Sequence, residues 1–280
     1  MKFSIITVCY NAAGKIEKTI ESVISQTCSE FEYIIIDGGS DDGTAEIVKR
    51  YMSDEKMTGK VFFVSEKDNG LYDAMNKGAQ LAKGDYVQFL NAGDELFDEN
   101  VLAKVFEKMD LSDERPNDCT SQMCQFEKTG KIYYGNIVYI NPDGTTDLRL
   151  YGKTCGKPIY FATGDCVNHQ AIFAPRAALL GEEKTFCDDV FAICADRDWM
   201  MRLTKKGAKW IALDETVVKY ELSDESISIR DKDTLRREER LCLKKNYPGL
   251  LPIYFVFDFA RNNKVLAKIL HWIYKKLYIQ

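Results

Sequence analysis

The sequence predicts an α/β fold in which helices flank a mixed, mainly parallel sheet. Three observations lead to this prediction. Apolar strand-like runs alternate with amphipathic stretches over the first 110 residues, the chain of 280 residues is long enough to bury a large core, and its composition, 45% hydrophobic and 29% charged, is that of a folded globular protein. Strands that alternate with helices form βαβ units, and such units build parallel sheets.

The first half of the chain repeats one unit, which consists of a short apolar run, a polar loop and a stretch with apolar residues at helical spacing. The predicted strands are Phe3–Tyr10, Phe31–Ile36, Val61–Val64 and Tyr86–Leu90. The predicted helices are Ile16–Ile24, Ile47–Tyr51, Tyr72–Leu81 and Val101–Met109. Parallel βαβ topology follows for this half.

The pattern changes after Met109, where the chain becomes polar and rich in turn residues up to residue 130. A hairpin is predicted around Asn141-Pro-Asp-Gly144, since this turn lies between two strand-like runs. The elements predicted here are strands at Lys131–Ile140, Thr145–Leu150, His169–Phe173 and Trp210–Leu213, and a helix at Asp196–Lys206 that Gly207 ends. We expect one domain over residues 1–230, with halves at 1–110 and 111–230, followed by a helical tail over 231–280.

Charge and cysteine content exclude several classes of protein. The formal net charge of -5 argues against a nucleic-acid-binding domain, which is expected to be basic. Nine cysteines without a Cys-x-x-Cys pair indicate reduced thiols in a cytosolic protein, and Cys119 and Cys124 lack nearby ligands for a zinc site. The apolar run at the start meets Asn11 too early for a signal peptide, and no run of 18 apolar residues predicts a membrane span.

The tail has a charge opposite to that of the rest of the chain. Residues 244–280 contain seven Lys or Arg and one Asp, a charge of +6, which leaves -11 for the remainder. Apolar and aromatic residues of 251–257 and 269–274 lie among these cations, a pattern typical of a helix on an anionic membrane surface. The alternative is a tail that packs on the domain or in a dimer interface.

The polar loops that follow the predicted parallel strands are where a ligand is expected, because open α/β sheets bind ligands beyond the carboxyl ends of their strands. These loops contain Asn11, Asp37, the segment 66–70 and the segment 91–95. The first loop, Asn11-Ala-Ala-Gly14, is not a G-x-G-x-x-G turn, and no G-x-x-x-x-G-K-[ST] occurs. Dinucleotide-dependent redox chemistry and P-loop chemistry are therefore not favoured.

Five segments, in this order, resemble the motifs of glycosyltransferase family 2. They are SIITVCYN (4–11), YIIIDGGSDDGT (33–44), DNGLYDAMNKG (68–78), GDYVQFLNAGD (84–94) and ADRDWMMRL (195–203). The resemblance spans about residues 3–228 and implies an inverting, nucleotide-sugar-dependent enzyme with the Rossmann-like GT-A fold. The third and fourth segments are most similar to the branch that acts in bacterial exopolysaccharide synthesis, such as that of colanic acid and amylovoran.

The resemblance assigns a donor side to the carboxyl ends of the first strands. It implies that Thr7, Tyr10 and Asn11 hold the nucleoside and that Asp37 accepts a hydrogen bond from a uracil N–H. Asp73 and Asn76, at i and i+3 of a helix, and Asn91 are implied to reach the donor sugar or ribose. Two alternatives remain open: Asp37 caps the entry to the next helix, and Asp73 is a first-turn acid favoured by the helix dipole.

The metal motif of the family, Asp-x-Asp, reads Asn91-Ala-Gly-Asp94 in this chain. Only Asp94 keeps the carboxylate, so a divalent cation, Mg²⁺ or Mn²⁺, would depend on Asp94, with Asn91 or Glu95, waters and the diphosphate as further ligands. Without an ion, Lys or Arg side chains would have to offset the charge of the leaving diphosphate.

Asp196 falls on the Asp of the family's Glu-Asp motif and is the implied general base, with Ala195 in place of the Glu. Asp198 is a rival, and because i and i+2 point to different helix faces, only one of the two is expected to face the cleft. The resemblance also implies acceptor-side or phosphate-side roles for His169 and Gln170, while a structural role for His169 stays open. Trp199 is either acceptor-side or core, and 224–229, with Ser226, resembles the family's acceptor loop.

The leading hypothesis is a glycosyltransferase that moves a sugar from a UDP-linked donor to a polysaccharide or lipid-linked acceptor in the cytoplasm, at the inner face of the cytoplasmic membrane. The alternatives are a non-catalytic relative that binds nucleotide sugars or acts as a membrane scaffold, and a nucleotidyltransferase. The weakened metal motif favours the scaffold, and no basic Gly-rich loop supports the nucleotidyltransferase. The oligomeric state has no sequence signal.

Overall fold

A computed structural model describes residues 2–53, 59–109, 130–153, 155–180, 184–222 and 230–261, together with residues 263, 265, 266, 268–270 and 272. The predicted acceptor loop around Ser226 and the pair Cys119 and Cys124 lie outside the described residues. The seven cysteines within the described part are free thiols.

The amino-terminal half forms the parallel part of the sheet, as the alternating pattern predicts. Its strands are β1 (Phe3–Cys9), β2 (Phe31–Asp37), β3 (Val61–Ser65) and β4 (Tyr86–Phe89), in the order β3-β2-β1-β4. The helices are α1 (Ile16–Ile24), α2 (Thr44–Met52), α3 (Leu71–Leu81) and α4 (Val101–Lys108). Cys9 pairs with Asp37, so β1 and β2 end at the same level and their loops meet.

The second half extends the same sheet with mostly antiparallel pairs. It contains β5 (Glu95–Leu96), β6 (Lys131–Ile140), β7 (Thr146–Arg149), α5 (Pro158–Ala162), β8 (Ile172–Pro175), α6 (Ala195–Lys205) and β9 (Lys209–Glu221). The sheet order continues from β4 through β8, β6 and β9 to β5, and β7 pairs with β6. Strands β6 and β9 are parallel to each other, so the described sheet is mixed, and with its flanking helices it has the GT-A architecture.

Two predicted strands of this half differ from the structure. The segment His169–Ala171 forms a 3₁₀ turn, and the strand begins only at Ile172. The turn places the His169 side chain beyond the strand end rather than on a sheet face. Strand β9 continues to Glu221 instead of stopping at Leu213, because its later residues pair with both β6 and β5. The local sequence pattern does not reveal this pairing, so it does not predict the full length of β9.

The described tail consists of α7 (Lys232–Asn246) and α8 (Leu251–Arg261), which pack on α5 and α6. Cys242 and Leu243 of α7 and Tyr254 of α8 are fully buried and belong to the same core as the sheet. The described tail is thus attached to the domain through its inner face. Among the described residues, no helix has the length and apolar character needed to cross a membrane.

Glycine 84 shows how closely the chain packs at the entry to β4. A Cβ at this position would lie 2.6 Å from the backbone of Phe3 and Ser4. The Gly84 N–H instead donates to the Ser4 hydroxyl at 2.8 Å. This close approach brings β4 into register with β1, and it thereby fixes where the loop after β4 begins.

Candidate active site

A cavity of about 920 Å³ opens at the carboxyl ends of the parallel strands. Seven segments supply its wall: the loop after β1 with the start of α1, the start of α3, the loop after β4, the segment 164–170 before β8, the segment that leads into α6, the end of β9, and α7. The positions of the loops after β1 and β4 follow from the rule that open α/β sheets bind ligands beyond the carboxyl ends of their strands. The contribution of α7 was not expected, because the sequence pattern treats the tail as separate.

Asp196, on the first turn of α6, directs its carboxylate into this cavity and is only partly exposed. Its Oδ2 lies 2.9 Å from Nδ1 of His169, and its Oδ1 accepts the backbone N–H of Arg197 at 2.7 Å. The Tyr72 hydroxyl lies 3.2 Å from the same Oδ1 and donates to the Ile193 carbonyl. Burial and the nearby Asp196 raise the pKa of Tyr72, so the tyrosine remains a proton donor. Both oxygens of Asp196 therefore meet donors, which suits an ionised carboxylate.

The tautomer of His169 follows from its second contact. Its Nε2 lies 3.1 Å from the Asn91 side-chain amide nitrogen, which can only donate. The Nε2 atom therefore accepts, and Nδ1 carries the proton that points to Asp196. His169 therefore links the loop after β4 to the carboxylate on α6. The histidine is buried, with 8% of its surface exposed.

Asp94 lies at the base of the cavity and is 5% exposed. Desolvation raises its pKa from 3.8 to about 7, although a hydrogen bond from Gln170 and the nearby His169 and Lys18 act in the opposite direction. The Gln170 amide donates to Asp94 Oδ2 at 3.0 Å. An electropositive partner at this carboxylate would favour its charged form.

The residues around Asp94 can accommodate a divalent cation. The side-chain oxygens of Asn91 and Gln170 are buried, and among the described residues they have no hydrogen-bond partner. Carboxylate and amide oxygens suit Mg²⁺ and Mn²⁺. No cluster of three or more His, Cys, Asp or Glu in the described ranges could hold a metal ion. The protein therefore offers one carboxylate and neutral oxygens, and the remaining ligands would come from a diphosphate and water.

Two lysines of the α1 entry, Lys15 and Lys18, line the cavity beside Asp94. Lys15 passes over Gly93, whose missing side chain leaves room for it. Lys18 forms an ion pair with Glu221 at the end of β9. These cations were missed in the sequence, where a Lys at the start of an amphipathic helix resembles an ordinary solvated position.

Asn11 lines the cavity, whereas Thr7 and Tyr10 do not. The Thr7 hydroxyl is fully buried and lies 2.9 Å from the Tyr33 hydroxyl inside the core. Tyr10 is 64% exposed at the end of β1. Asn11 adopts a left-handed conformation, with φ of 47°, and accepts the Asp41 N–H at 3.1 Å. It therefore joins the loops that follow β1 and β2.

Asp37 is fully buried and is outside the cavity wall. Its carboxylate accepts the Ser40 N–H at 3.1 Å and the Ser65 hydroxyl at 2.6 Å, and it also contacts the Ser40 hydroxyl. These bonds organise the loop between β2 and α2. Asp37 does not cap α2, whose N-cap is Gly43 without a side-chain cap. A uracil contact would require the Asp37 carboxylate to exchange a serine partner.

Asp73 and Asn76 have partners within the protein, and neither lines the cavity. Asp73 accepts the Asn69 N–H at 3.0 Å, which places it as a first-turn acid of α3. The Asn76 side chain forms two bonds with the backbone of Phe186, at 2.9 and 3.0 Å. Their side chains bind different segments, and a donor role for either residue stays a prediction.

Asp198 and Trp199 point away from the cavity into the core. Asp198 is fully buried, binds Nε of Arg202 at 2.7 Å and accepts from the Asn246 side chain at 2.9 Å. Trp199 is 2% exposed, and its ring lies against Phe186. Of the two aspartates on α6, Asp196 alone lines the cavity.

Two neighbouring carboxylates of α7 support the Asp196 wall and carry no sequence motif. Glu238 accepts three backbone N–H groups of residues 192–194, and Glu239 binds Arg197 and Arg261. Burial lowers the pKa of Arg197, but Glu239 and the nearby Cys166, Cys194 and Cys242 together outweigh this and raise it. In the sequence, nothing separates these two glutamates from the other charged residues of α7.

Comparison with known proteins shows which family the chain belongs to. Residues 4–179 match the model described as Glycosyl transferase family 2. A relative from Mycobacterium bovis (strain BCG / Pasteur 1173P2), named "PGL/p-HBAD biosynthesis glycosyltransferase", is 29% identical over 237 residues, which cover 84% of this chain and 83% of the relative. A Bacillus subtilis (strain 168) relative, named "Putative teichuronic acid biosynthesis glycosyltransferase TuaG", is 29% identical over 80% of this chain and 81% of its own length.

Solved structures share the fold at low sequence identity. Residues 1–349 of S. aureus TarS in complex with UDP align with a TM-score of 0.62 and 18% identity, over 94% of this chain and 74% of that one. The mannosyltransferase PcManGT from Pyrobaculum calidifontis, in complex with GDP-Man and Mn²⁺, aligns with a TM-score of 0.56 and 17% identity, over 96% and 78% of the two chains.

Proposed function

The chain belongs to glycosyltransferase family 2 and is a glycosyltransferase, and from this premise we propose that it transfers a sugar from a UDP-linked donor to an acceptor hydroxyl with inversion. The observation that carries the proposal is the Asp196 carboxylate, which faces the cavity at the carboxyl ends of the parallel strands. We propose the acceptor to be a growing cell-surface polysaccharide or a lipid-linked oligosaccharide. Relatives named for teichuronic acid and PGL/p-HBAD biosynthesis support a biosynthetic role.

In the proposed reaction, Asp196 takes the proton of the acceptor hydroxyl. The acceptor oxygen then bonds to the anomeric carbon, the bond from that carbon to the diphosphate oxygen breaks, and the nucleoside diphosphate leaves with the electron pair. His169 and the Arg197 N–H hold the two carboxylate oxygens, which fixes the direction of the base. Such fixed positioning contributes much of the rate of a two-substrate transfer.

Asp94, with Asn91 and Gln170 beside it, would hold a divalent ion on the donor side. When bound, the ion would offset negative charge on the leaving diphosphate. Lys15 and Lys18 would act on the same charge from the α1 side. Asn91 and Asp94 belong to the same loop, and His169 connects Asn91 to Asp196. These contacts support a compact diphosphate site next to the base.

The test of this proposal is a donor screen followed by one substitution. UDP-, GDP- and dTDP-sugars are added with and without Mg²⁺ or Mn²⁺, and thermal stabilisation and release of nucleoside diphosphate are measured. We expect stabilisation and slow donor hydrolysis with a UDP-sugar. Asp196→Asn is expected to keep donor stabilisation and to lower transfer at least 100-fold, since general base catalysis contributes about 10²–10⁴.

Asp233→Asn is the matched control, because Asp233 is exposed on α7 and the chemical change is the same. It should leave transfer within about twofold of the unaltered protein. Full transfer by Asp196→Asn would refute the base assignment. Absence of turnover with every donor would instead favour the non-catalytic relative.

We also propose that the tail binds an anionic membrane surface, at the cytoplasmic face of the membrane where a lipid-linked acceptor is found. The outer face of α8 and the described residues beyond it expose large apolar side chains, while the inner face is buried on the domain. These side chains are Phe255, Val256, Phe259, Val265, Ile269 and Trp272. The +6 charge of residues 244–280 complements anionic headgroups.

Co-sedimentation with phosphatidylglycerol vesicles tests the membrane proposal. Phe259 is 76% exposed, so Phe259→Ser should weaken vesicle binding about tenfold or more without lowering the melting temperature. Phe62→Ser, at a half-exposed residue of β3, is the control. Equal binding of both variants, or binding that does not fall with salt, would contradict the proposal.

A further inference from the structure

We propose that Glu238 is a positioning residue for catalysis, which acts by holding the backbone that precedes the base Asp196. The inference rests on the proposed function, since it takes Asp196 as the base. It extends the working part of the enzyme to α7, which lies beyond the residues 4–179 that match the family model.

The Glu238 carboxylate binds three consecutive backbone N–H groups. Its Oε1 accepts the Ala192 N–H at 3.0 Å, and its Oε2 accepts those of Ile193 and Cys194 at 2.9 and 3.0 Å. The side chain comes from 45 residues further along the chain and is 4% exposed. Hydrogen bonds from N–H groups to an ionised carboxylate are among the stronger ones in proteins.

These N–H groups belong to Cys194, the N-cap residue of α6, and to the two residues before it. The Cys194 side chain provides no cap of its own. Glu238 supplies from a different helix the negative charge that the amino-terminal end of a helix favours. The carboxylate therefore fixes the segment that leads into α6.

Asp196 follows this segment by two residues, and it shares a partner with it. The Tyr72 hydroxyl contacts both the Ile193 carbonyl and Asp196 Oδ1. A shift of Ile193 would therefore move Tyr72 and the first turn of α6 together. Through these contacts the position of Glu238 is coupled to the direction of the base.

The neighbouring Glu239 anchors α7 to the same wall. It accepts from Tyr254 at 2.8 Å and from Arg261 at 2.8 Å, and its other oxygen lies 3.5 Å from Arg197. Arg197 directly follows Asp196, so α7 contacts the base segment on both sides. A displaced α7 would release both contacts.

The experiment compares Glu238→Gln with Glu238→Asp and with Glu107→Gln, a matched change at an exposed residue of α4. Glutamine removes the charge and cannot accept three N–H bonds with one oxygen, whereas aspartate keeps the charge one methylene short. Melting temperature, donor KM, kcat and amide hydrogen exchange of residues 192–194 are measured on the full chain, with the UDP-sugar that the screen selects.

For Glu238→Gln we expect kcat to fall about 10- to 100-fold while the donor KM changes by less than about twofold, since the base rather than the donor site is displaced. Exchange at residues 192–194 should accelerate about tenfold or more. Glu238→Asp should have a kcat and an exchange rate between those of Glu238→Gln and those of the unaltered protein. Glu107→Gln should match the unaltered protein.

Unchanged exchange at 192–194 in folded Glu238→Gln would overturn the inference, and so would a loss carried by KM alone. If Glu238→Gln does not fold, Glu238→Asp decides, because an unchanged kcat in that variant refutes the positioning role. Failure of the proposed function is recognised separately: the unaltered protein then turns over no donor, while the exchange measurement still reports on the Glu238 contacts.

Discussion

Replacing Asp94 by Asn should stabilise the protein at alkaline pH while it removes sugar transfer. Asp94 is buried, and desolvation raises its pKa from 3.8 to about 7. Asparagine has nearly the same shape, and its carbonyl oxygen can still accept from the Gln170 amide, which binds Asp94 at 3.0 Å. The substitution therefore removes a desolvated charge and preserves the packing.

The magnitude follows from proton linkage. Between pH 3.8 and about 7 the folded protein binds the Asp94 proton more tightly than the unfolded chain does, so the unaltered protein loses stability as the pH rises through this window. At roughly 1.4 kcal/mol per pKa unit, the gain of Asp94→Asn in free energy of unfolding is up to about 2 kcal/mol at pH 5 and about 4 kcal/mol at pH 8. Transfer should fall at least 100-fold, because the variant lacks the carboxylate that we propose to hold a divalent ion at the donor diphosphate.

Urea denaturation at pH 5 and pH 8, followed by tryptophan fluorescence, measures both free energies. Asp233→Asn serves as the control, since that side chain is exposed and the same change should be neutral at both pH values. A variant that is less stable than the unaltered protein at pH 8 would refute the reasoning. An equal gain at both pH values would show that the cause is packing and not the ionisation of Asp94.

Two further predictions separate structural from catalytic positions. Asp198→Asn should lower the free energy of unfolding by about 3 kcal/mol, because it removes the buried negative charge that binds Arg202. The kcat below the melting temperature should stay within about threefold, and a 100-fold loss of kcat would indicate a direct role. Gly84→Ala should destabilise by about 3 kcal/mol in thermal melts, since its Cβ would lie 2.6 Å from the Ser4 backbone, whereas Gly152→Ala meets open space and should melt normally.

The parallel half of the fold could be predicted because its signals are local. Each strand and helix there is marked by a periodicity over about ten residues, and β1 and α1 appear within a residue or so of the expected positions. The 3₁₀ turn at His169–Ala171 could not be predicted, because an apolar run after a polar pair looks like a strand from its first residue. The length of β9 depends on partner strands distant in sequence.

The candidate site shows the same division. Asp196, Asp94 and Asn11 line the cavity where the motifs and the strand-end rule place them. The Asp37 carboxylate binds Ser40 of its own loop and Ser65 at the end of β3, a competition that sequence spacing does not reveal. Glu238 could not be found, because its role depends on the packing of a helix against a loop more than 40 residues earlier.

The composition of the cavity wall from seven segments sets an order of events in folding. The βαβ half has contacts between near neighbours in sequence, whereas Tyr72 meets Asp196 across 124 residues and Lys18 meets Glu221 across 203. Loop closure over such distances is slow, so we expect the sheet of β1–β4 to form early and catalytic competence to arise last. Pulse-labelling hydrogen exchange during refolding should therefore protect β1 before residues 192–194, and a nascent chain should stay inactive until α7 has docked.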